Sequence, residues 1–353
     1  MHRNLQSVST FFVLALLAVL PACSDDSVGP EVPEVSTREI GAVVTSTDVA
    51  LTLFDVEDPA STETVGLGAD GSPVSLAVRG EYAAVPLGVV PAVAVVDLEA
   101  AELERTVSLP EGSGATGAAF VNDSIVLVAN PNLNTVTPVN VLAGTAADEI
   151  PVGRYPQGVV VAEGRAYVLN GELEEFSPDG PSTITVLDAE TLAVLDTIEL
   201  SGENAGAGAV GPDGRLYVIQ SGSFGAANGA LSVVDPGTGT EVDFFDGFGD
   251  FPGSLAVDSD GIAYVGAFGV GTLVWNSATG SFARGPDDAV APGGVPSTSG
   301  IGIDSEGRVY TLEADCENPA RVHRLDADYT SETTVPVGIC PFAIAFTEVE
   351  EEL

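Results

Sequence analysis

The sequence has few of the residues from which most catalytic and metal centres are built: two histidines, three cysteines, one tryptophan and no lysine in 353 residues. With only His2 and His323 to draw on, no triad needing a second histidine, no His-rich zinc cluster and no haem-attachment motif can be assembled. Positive charge is equally scarce. Eleven arginines face 52 carboxylates, for a formal net charge of −41. A surface of that sign repels phosphate backbones and argues against nucleic acid as a partner. Sustained helical periodicity is also missing. Instead, 41 glycines and 23 prolines separate short apolar runs, a pattern that favours an all-β fold.

The one long apolar run is "FFVLALLAVL" at 11–20, behind Arg3 and ahead of "PAC". It is too short to cross a bilayer as a helix but suits the core of a signal peptide. The residues "LPAC" ending at Cys23 resemble a bacterial lipobox, so residues 1–22 are expected to be removed and Cys23 lipidated. An ordinary signal peptide followed by a cysteine is the alternative. Ser24, Asp25 and Asp26 resemble the acidic tag of lipoproteins sent to the outer face of the outer membrane. Residues 23–40 are read as the lipidated cysteine with a flexible acidic tether, 41–348 as the folded domain and 349–353 as an acidic tail.

Within the folded domain one unit recurs. "SPVSLAV" (72–78), "ATGAAFV" (115–121), "YPQGVVV" (155–161), "NAGAGAV" (204–210), "FPGSLAV" (251–257), "STSGIGI" (297–303) and "CPFAIAF" (340–346) begin 43, 40, 49, 47, 46 and 43 residues apart. That spacing fits a propeller blade of four strands. Tyrosine-bearing second strands such as "EGRAYV" and "DGRLYV" keep the same phase, behind glycine turns suited to tight hairpins. Each third strand ends on a short polar residue: Asp55, Asp97, Asn140, Asp188, Asp235, Asn276 or Asp326. These are read as caps of the following turn rather than as metal ligands. The fourth residue of every opening strand is small (Ser75, Ala118, Gly158, Ala207, Ser254, Gly300, Ala343), as expected where strands crowd toward an axis.

Seven opening strands accompany six complete units. Residues 41–68 supply the second, third and fourth strands of a blade whose first strand is the C-terminal 340–346. The expectation is one all-β, seven-bladed propeller closed by pairing its two ends, which removes an exposed sheet edge. Cys316 and Cys340 then fall on one face at the seam between neighbouring blades. This predicts a disulfide suited to an oxidising compartment, with two buried thiols as the alternative.

Residues 155–200, with "YVLN" at 167–170 and "ITVLD" at 184–188, resemble the YVTN-type β-propeller repeat. The likeness runs through 72–346. It implies a fold more than an activity, because the family is functionally mixed. Several bacterial members are surface lipoproteins, including propellers that capture cobalamin beside an outer-membrane transporter.

Loops on a rigid scaffold usually carry recognition, so the face bearing the longer loops is the candidate working face. Arg154, Tyr155, Asn204, Phe224, Phe248, Phe251 and Phe268 are the candidate ligand-binding residues there. Glu172, Glu174, Glu175 and Asp179, in the loop 170–182, are candidates for a divalent ion or a cationic partner, against a plain solvated loop. The acidic turns "GPDG" (211–214), "DSDG" (258–261) and "DSEG" (304–307) lack the further ligands of a calcium loop and are read as hairpin turns. His323 and Trp275 are read as packing residues.

The expected function is a monomeric, non-enzymatic, lipid-anchored propeller without a cofactor. It would bind a small ligand or an envelope protein on the periplasmic or cell-surface side of the outer membrane. The competing readings are an enzyme resembling the calcium-dependent lactonase or hydrolase propellers, with its metal in the channel, and a pure scaffold. The acidic surface adds a measurable expectation. Molar salt shortens the Debye length to about 3 Å and quenches self-repulsion. The melting temperature should therefore rise between low and molar NaCl; an unchanged value would show that the fold simply tolerates its charge.

Overall fold

The computed structural model describes residues 36–350. The expected leader, the lipidation at Cys23 and most of the tether lie outside them. The described chain forms seven four-stranded antiparallel sheets arranged in a ring, a seven-bladed β-propeller. Blade 4 shows the pattern: Pro156–Ala162 lies innermost, followed outward by Arg165–Asn170, Thr183–Asp188 and Val194–Glu199. Second and third strands are nearly unbroken buried runs, as in Arg165–Asn170, because adjacent blades cover both faces. Outermost strands such as Glu102–Ser108 alternate, with one side toward water. Blades 2 and 3 have short innermost ladders, Ala77–Arg79 and Ala118–Phe120. Blade 3 also splits its outer edge into Thr145–Ala146 and Ile150–Pro151.

All seven polar residues that end third strands cap their turns through the side-chain oxygen. Asp55 Oδ1 accepts from Glu57 N at 2.7 Å, and Asp97, Asn140, Asp188, Asp235, Asn276 and Asp326 do likewise. The acidic first hairpins are turns as well. Asp213, Asp258 and Asp304 each accept from their own turn, and each takes the hydroxyl of the second-strand tyrosine, Tyr217, Tyr264 or Tyr310. Burial, followed by the adjacent carboxylate, pushes the Tyr264 and Tyr310 hydroxyls above their ordinary pKa.

The "YVLN" stretch has a structural meaning. Asn170 is fully buried at the end of its strand, and its amide donates to Thr183 and Thr185 of the third strand, at 3.1 and 3.0 Å. Blade 3 repeats this with Asn130 on Thr135 and Thr137, while in blade 5 the direction is reversed and Ser232 Oγ donates to Gln220 Oε1. In blade 7 the same place holds Glu313, bonded to His323 Nε2 at 2.7 Å, while Nδ1 meets Ser331 at 2.8 Å. His323 is thus one member of a recurring polar clasp between second and third strands.

Closure of the ring is antiparallel pairing of Thr37–Thr45 with Pro341–Glu350, in register from Thr37↔Glu350 to Val44↔Ala343. This extends the expected strand at both ends. Residues 37–40 belong to the first strand rather than the tether, and Val349 and Glu350 to the closing strand rather than the tail. Burial of Ile40 and Val349 in the core draws the ladder outward past the polar residues between. Cys340 is disulfide-bonded to Cys316, as expected. Nearby, Cys340 N donates to Asp315 O, Cys340 O accepts from Ser46 N, and Ile339 N donates to Asp48.

Replacing Cys316 and Cys340 together by serine should cost about 3 kcal/mol, mainly by loosening the unfolded chain. Ending the chain at residue 338 should do more, by removing the inner strand of blade 1 and abolishing cooperative thermal unfolding. A truncated protein that melts like the full chain would contradict closure by this strand.

Candidate functional site

The inner strands begin with an unusual backbone turn. Tyr155, Asn204, Phe251 and Cys340, the first residues of four of them, take left-handed φ of 54°, 61°, 51° and 61°. For residues with a side chain this conformation costs about 1–2 kcal/mol, so local contacts must hold it. Three of these residues use their carbonyl to accept from the residue just past the second strand of the same blade: Tyr155 from Gly171, Asn204 from Ser221 and Cys340 from Ser46. The turn thereby aims the chain down the channel and fixes where the next loop departs. Strained residues gathered around one opening are what ligand sites often show.

Below the opening lies a cavity of about 710 Å³ whose wall takes residues from all seven inner strands. The third and fourth residues of every opening strand reach it, so the small fourth residues expected from crowding also shape the channel. The crowding itself is tight. A Cβ on Gly158 would stand 2.4 Å from Gly206 O, and one on Gly300 2.7 Å from Phe342 O. Side chains stitch several neighbouring blades together across this wall: Ser75 Oγ donates to Thr116 O, Thr116 Oγ1 to Gln157 O, Ser221 Oγ to Pro252 O and Ser299 Oγ to Pro341 O. Gln157 Nε2 donates to both Asn204 Oδ1, at 2.8 Å, and Ala205 O, at 3.1 Å.

The expected site residues separate into three groups. Asn204, Phe224, Phe251 and Phe268 line the cavity or its rim. Phe224 is 81% exposed and packs edge-on to Phe251, with ring centroids 5.7 Å apart, while Phe268 is 48% exposed. Asn204 acts through its neighbour, since its amide holds Gln157 and Gly222 O.

Arg154 and Tyr155 lie outside the wall. Arg154 is ion-paired with Glu172, Glu174 and Asp179 at 3.6, 4.0 and 2.8 Å. The hydrogen bond to Asp179 raises its pKa further, and Glu172 and Glu174 add to that. The metal candidates and the cationic candidate therefore satisfy one another, with Glu175 at the loop's tip. Tyr155, its hydroxyl pKa raised by burial, carries the exposed ring of Phe176 against it at 6.0 Å. The loop 170–182 is a short hairpin, Leu173–Glu174 with Ser177–Pro178, that presents Phe176 rather than a bare acidic surface.

Phe248 is corrected. It is 0% exposed, packed 4.8 Å from Phe282 and 6.2 Å from Trp275, and belongs to the core between blades 5 and 6. Its loop folds back over the edge of the sheet, Phe248 N donating to Gly229 O.

Gln157, Phe342 and Phe176 were not singled out in the sequence, and Ser254 was read there only as a small packing residue. Gln157, Ser254 and Phe342 were legible as third- or fourth-position residues, Gln157 and Phe342 being the two large side chains at the third position. For a calcium ion in the channel the donor set does not fit. Among the described residues the cavity wall carries no carboxylate and no histidine, whereas calcium takes six to eight oxygens, usually including Asp or Glu.

No protein-family model and no curated protein sequence matches the chain. Among solved structures, hydrazine synthase of Kuenenia stuttgartiensis is similar at a TM-score of 0.64 and 14% identity, over 79% of this chain and 95% of that one. A functionally unknown protein of Desulfotomaculum acetoxidans is similar at 0.64 and 15% identity, over 87% and 98%. Identities this low show a common fold and nothing of activity.

The two classes of phenylalanine should separate in a stability measurement. Phe248→Ala should cost about 3–5 kcal/mol of unfolding free energy. Phe224→Ala should stay within about 0.5 kcal/mol of the parent. Equal losses in denaturant titrations would contradict this placement of the two rings.

Proposed function

We propose that this propeller is an extracytoplasmic binding protein, held to a membrane through lipidated Cys23, that captures a small ligand at the loop-rich mouth of its central channel. The observation that carries the reading is the combination of one cavity walled by all seven blades with exposed Phe224 and Phe268 at its rim. Aromatic surface left in water on a rigid mouth is costly to keep, and it gains apolar contact when a ligand covers it. The left-handed residues beneath the rim support preorganisation, since a ligand entering there need not order the loops first. Resemblance of the repeat to envelope propellers that work beside transporters supports a role in uptake. Arg154 belongs to this reading only indirectly, by fastening the hairpin that displays Phe176.

Nile red, a neutral apolar fluorophore, provides the test. It should bind the protein saturably, one to one, with a blue-shifted emission. Phe224→Ala combined with Phe268→Ala should weaken it about tenfold, each ring contributing roughly 0.5–1.5 kcal/mol. Unchanged affinity in the double variant would sink capture at this mouth. In cells, Cys23→Ser should move the protein from the membrane fraction to the soluble fraction.

A further inference from the structure

The channel of this acidic protein is itself free of charge. Fifty-two carboxylates lie in the sequence, yet among the described residues no Asp, Glu, Arg or His side chain lines the cavity. An ion drawn into such a space leaves its water shell and meets no counter-charge, at a cost of several kcal/mol. An anion must in addition cross the field of a protein of net charge −41, although that part fades with salt. A cation meets the reverse: it is held at the acidic exterior and finds no carboxylate within.

The hydrogen-bonding capacity of the wall narrows the ligand further. Ser75, Thr116, Ser221 and Ser299 have committed their hydroxyl protons to carbonyls of the next blade. Both amide protons of Gln157 are committed to Asn204 and Ala205 O. Among the hydroxyls of the described wall residues, Ser254 Oγ is buried and has no partner. Gln157 Oε1 remains as an acceptor. A carbohydrate, with a polar group on nearly every carbon, would leave most of those groups unpaired in this space. A largely apolar molecule with one or two polar groups would not.

We infer that the channel selects uncharged, mainly apolar small molecules bearing one or two hydrogen-bonding groups, with Phe224 and Phe251 covering the apolar body and Ser254 and Gln157 meeting the polar end. This rests on the channel being the ligand site, and the experiment separates the two statements. The probes are 1-anilinonaphthalene, which is neutral, and its 8-sulfonate, which shares the ring system and adds one negative charge. Both are titrated fluorimetrically in 1 M NaCl, where long-range repulsion is screened.

The neutral probe should saturate one site, and the sulfonate should bind at least ~100-fold more weakly, as expected for an unpaired buried ion. Gly253→Phe supplies the plug. A Cβ at Gly253 meets no heavy atom within 4 Å, so the ring can enter the channel without displacing the fold. It should abolish binding of the neutral probe while the melting temperature stays within a few degrees of the parent. If that variant does not fold, Gly206→Leu replaces it, because a Cβ there meets nothing nearer than 3.7 Å.

Affinities within threefold of each other, both lost on plugging, would overturn charge selection and leave channel capture standing. Binding that survives the plug would overturn both statements. A neutral probe that never saturates the parent protein would overturn the inference alone, with Nile red still deciding capture.

Discussion

Antiparallel pairing of the first described strand with the last one holds the molecule in its ring. Blade 1 is assembled from residues more than 290 positions apart, so closing the ring depends on a pairing that is distant in sequence and costs loop entropy. Reinforcement is concentrated at that seam. The Cys316–Cys340 disulfide, the Asp48 carboxylate on Ile339 N and Ser299 on Pro341 O all act within a few residues of one another. Thr347 Oγ1, donating to Gly80 O, ties the far end of the same strand to blade 2.

The channel is a consequence of the same closure. Seven inner strands brought around an axis leave room for small side chains at the fourth position of each, and several wall hydroxyls and the Gln157 amide bond the neighbouring backbone. Those bonds fasten the blades and at the same time consume the polar capacity of the wall. A wall built to hold the ring together therefore offers a ligand apolar surface with very few open polar contacts. Charge is displaced to the exterior, where arginine is matched locally. Arg154 in its hairpin and Arg308 between Asp304, Glu306 and Glu57 are examples. Structural neighbours at about 15% identity share this architecture and leave the content of the channel to each protein.

Much of the fold was legible in the sequence, because a blade is a local object repeated. Spacing near 45 residues, an Asp or Asn at each third-strand end and a seventh opening strand without a unit behind it require no knowledge of the tertiary structure. The disulfide followed from the same phase. The site was legible where it kept that phase: Asn204 and Phe251 head inner strands, and Phe268 directly follows a second strand. It was obscured where loops depart from the repeat. Phe224 and Phe248 look alike in sequence, each in a glycine-rich loop, yet one stands in solvent and the other fills the core between two blades.

What the sequence by itself determined was the number of blades, the way the ring closes and the places where its turns are capped. These depend on hydrogen bonds and side-chain sizes recurring at a fixed interval. Only the tertiary structure decided which loop aromatics face the channel, that Arg154 is consumed by its own acidic hairpin, and that Ser254 on the wall has an unpaired buried hydroxyl. Each of those depends on how a non-repeating loop packs against a neighbouring blade, and burial of that kind is set by contacts between segments that the repeat pattern does not relate.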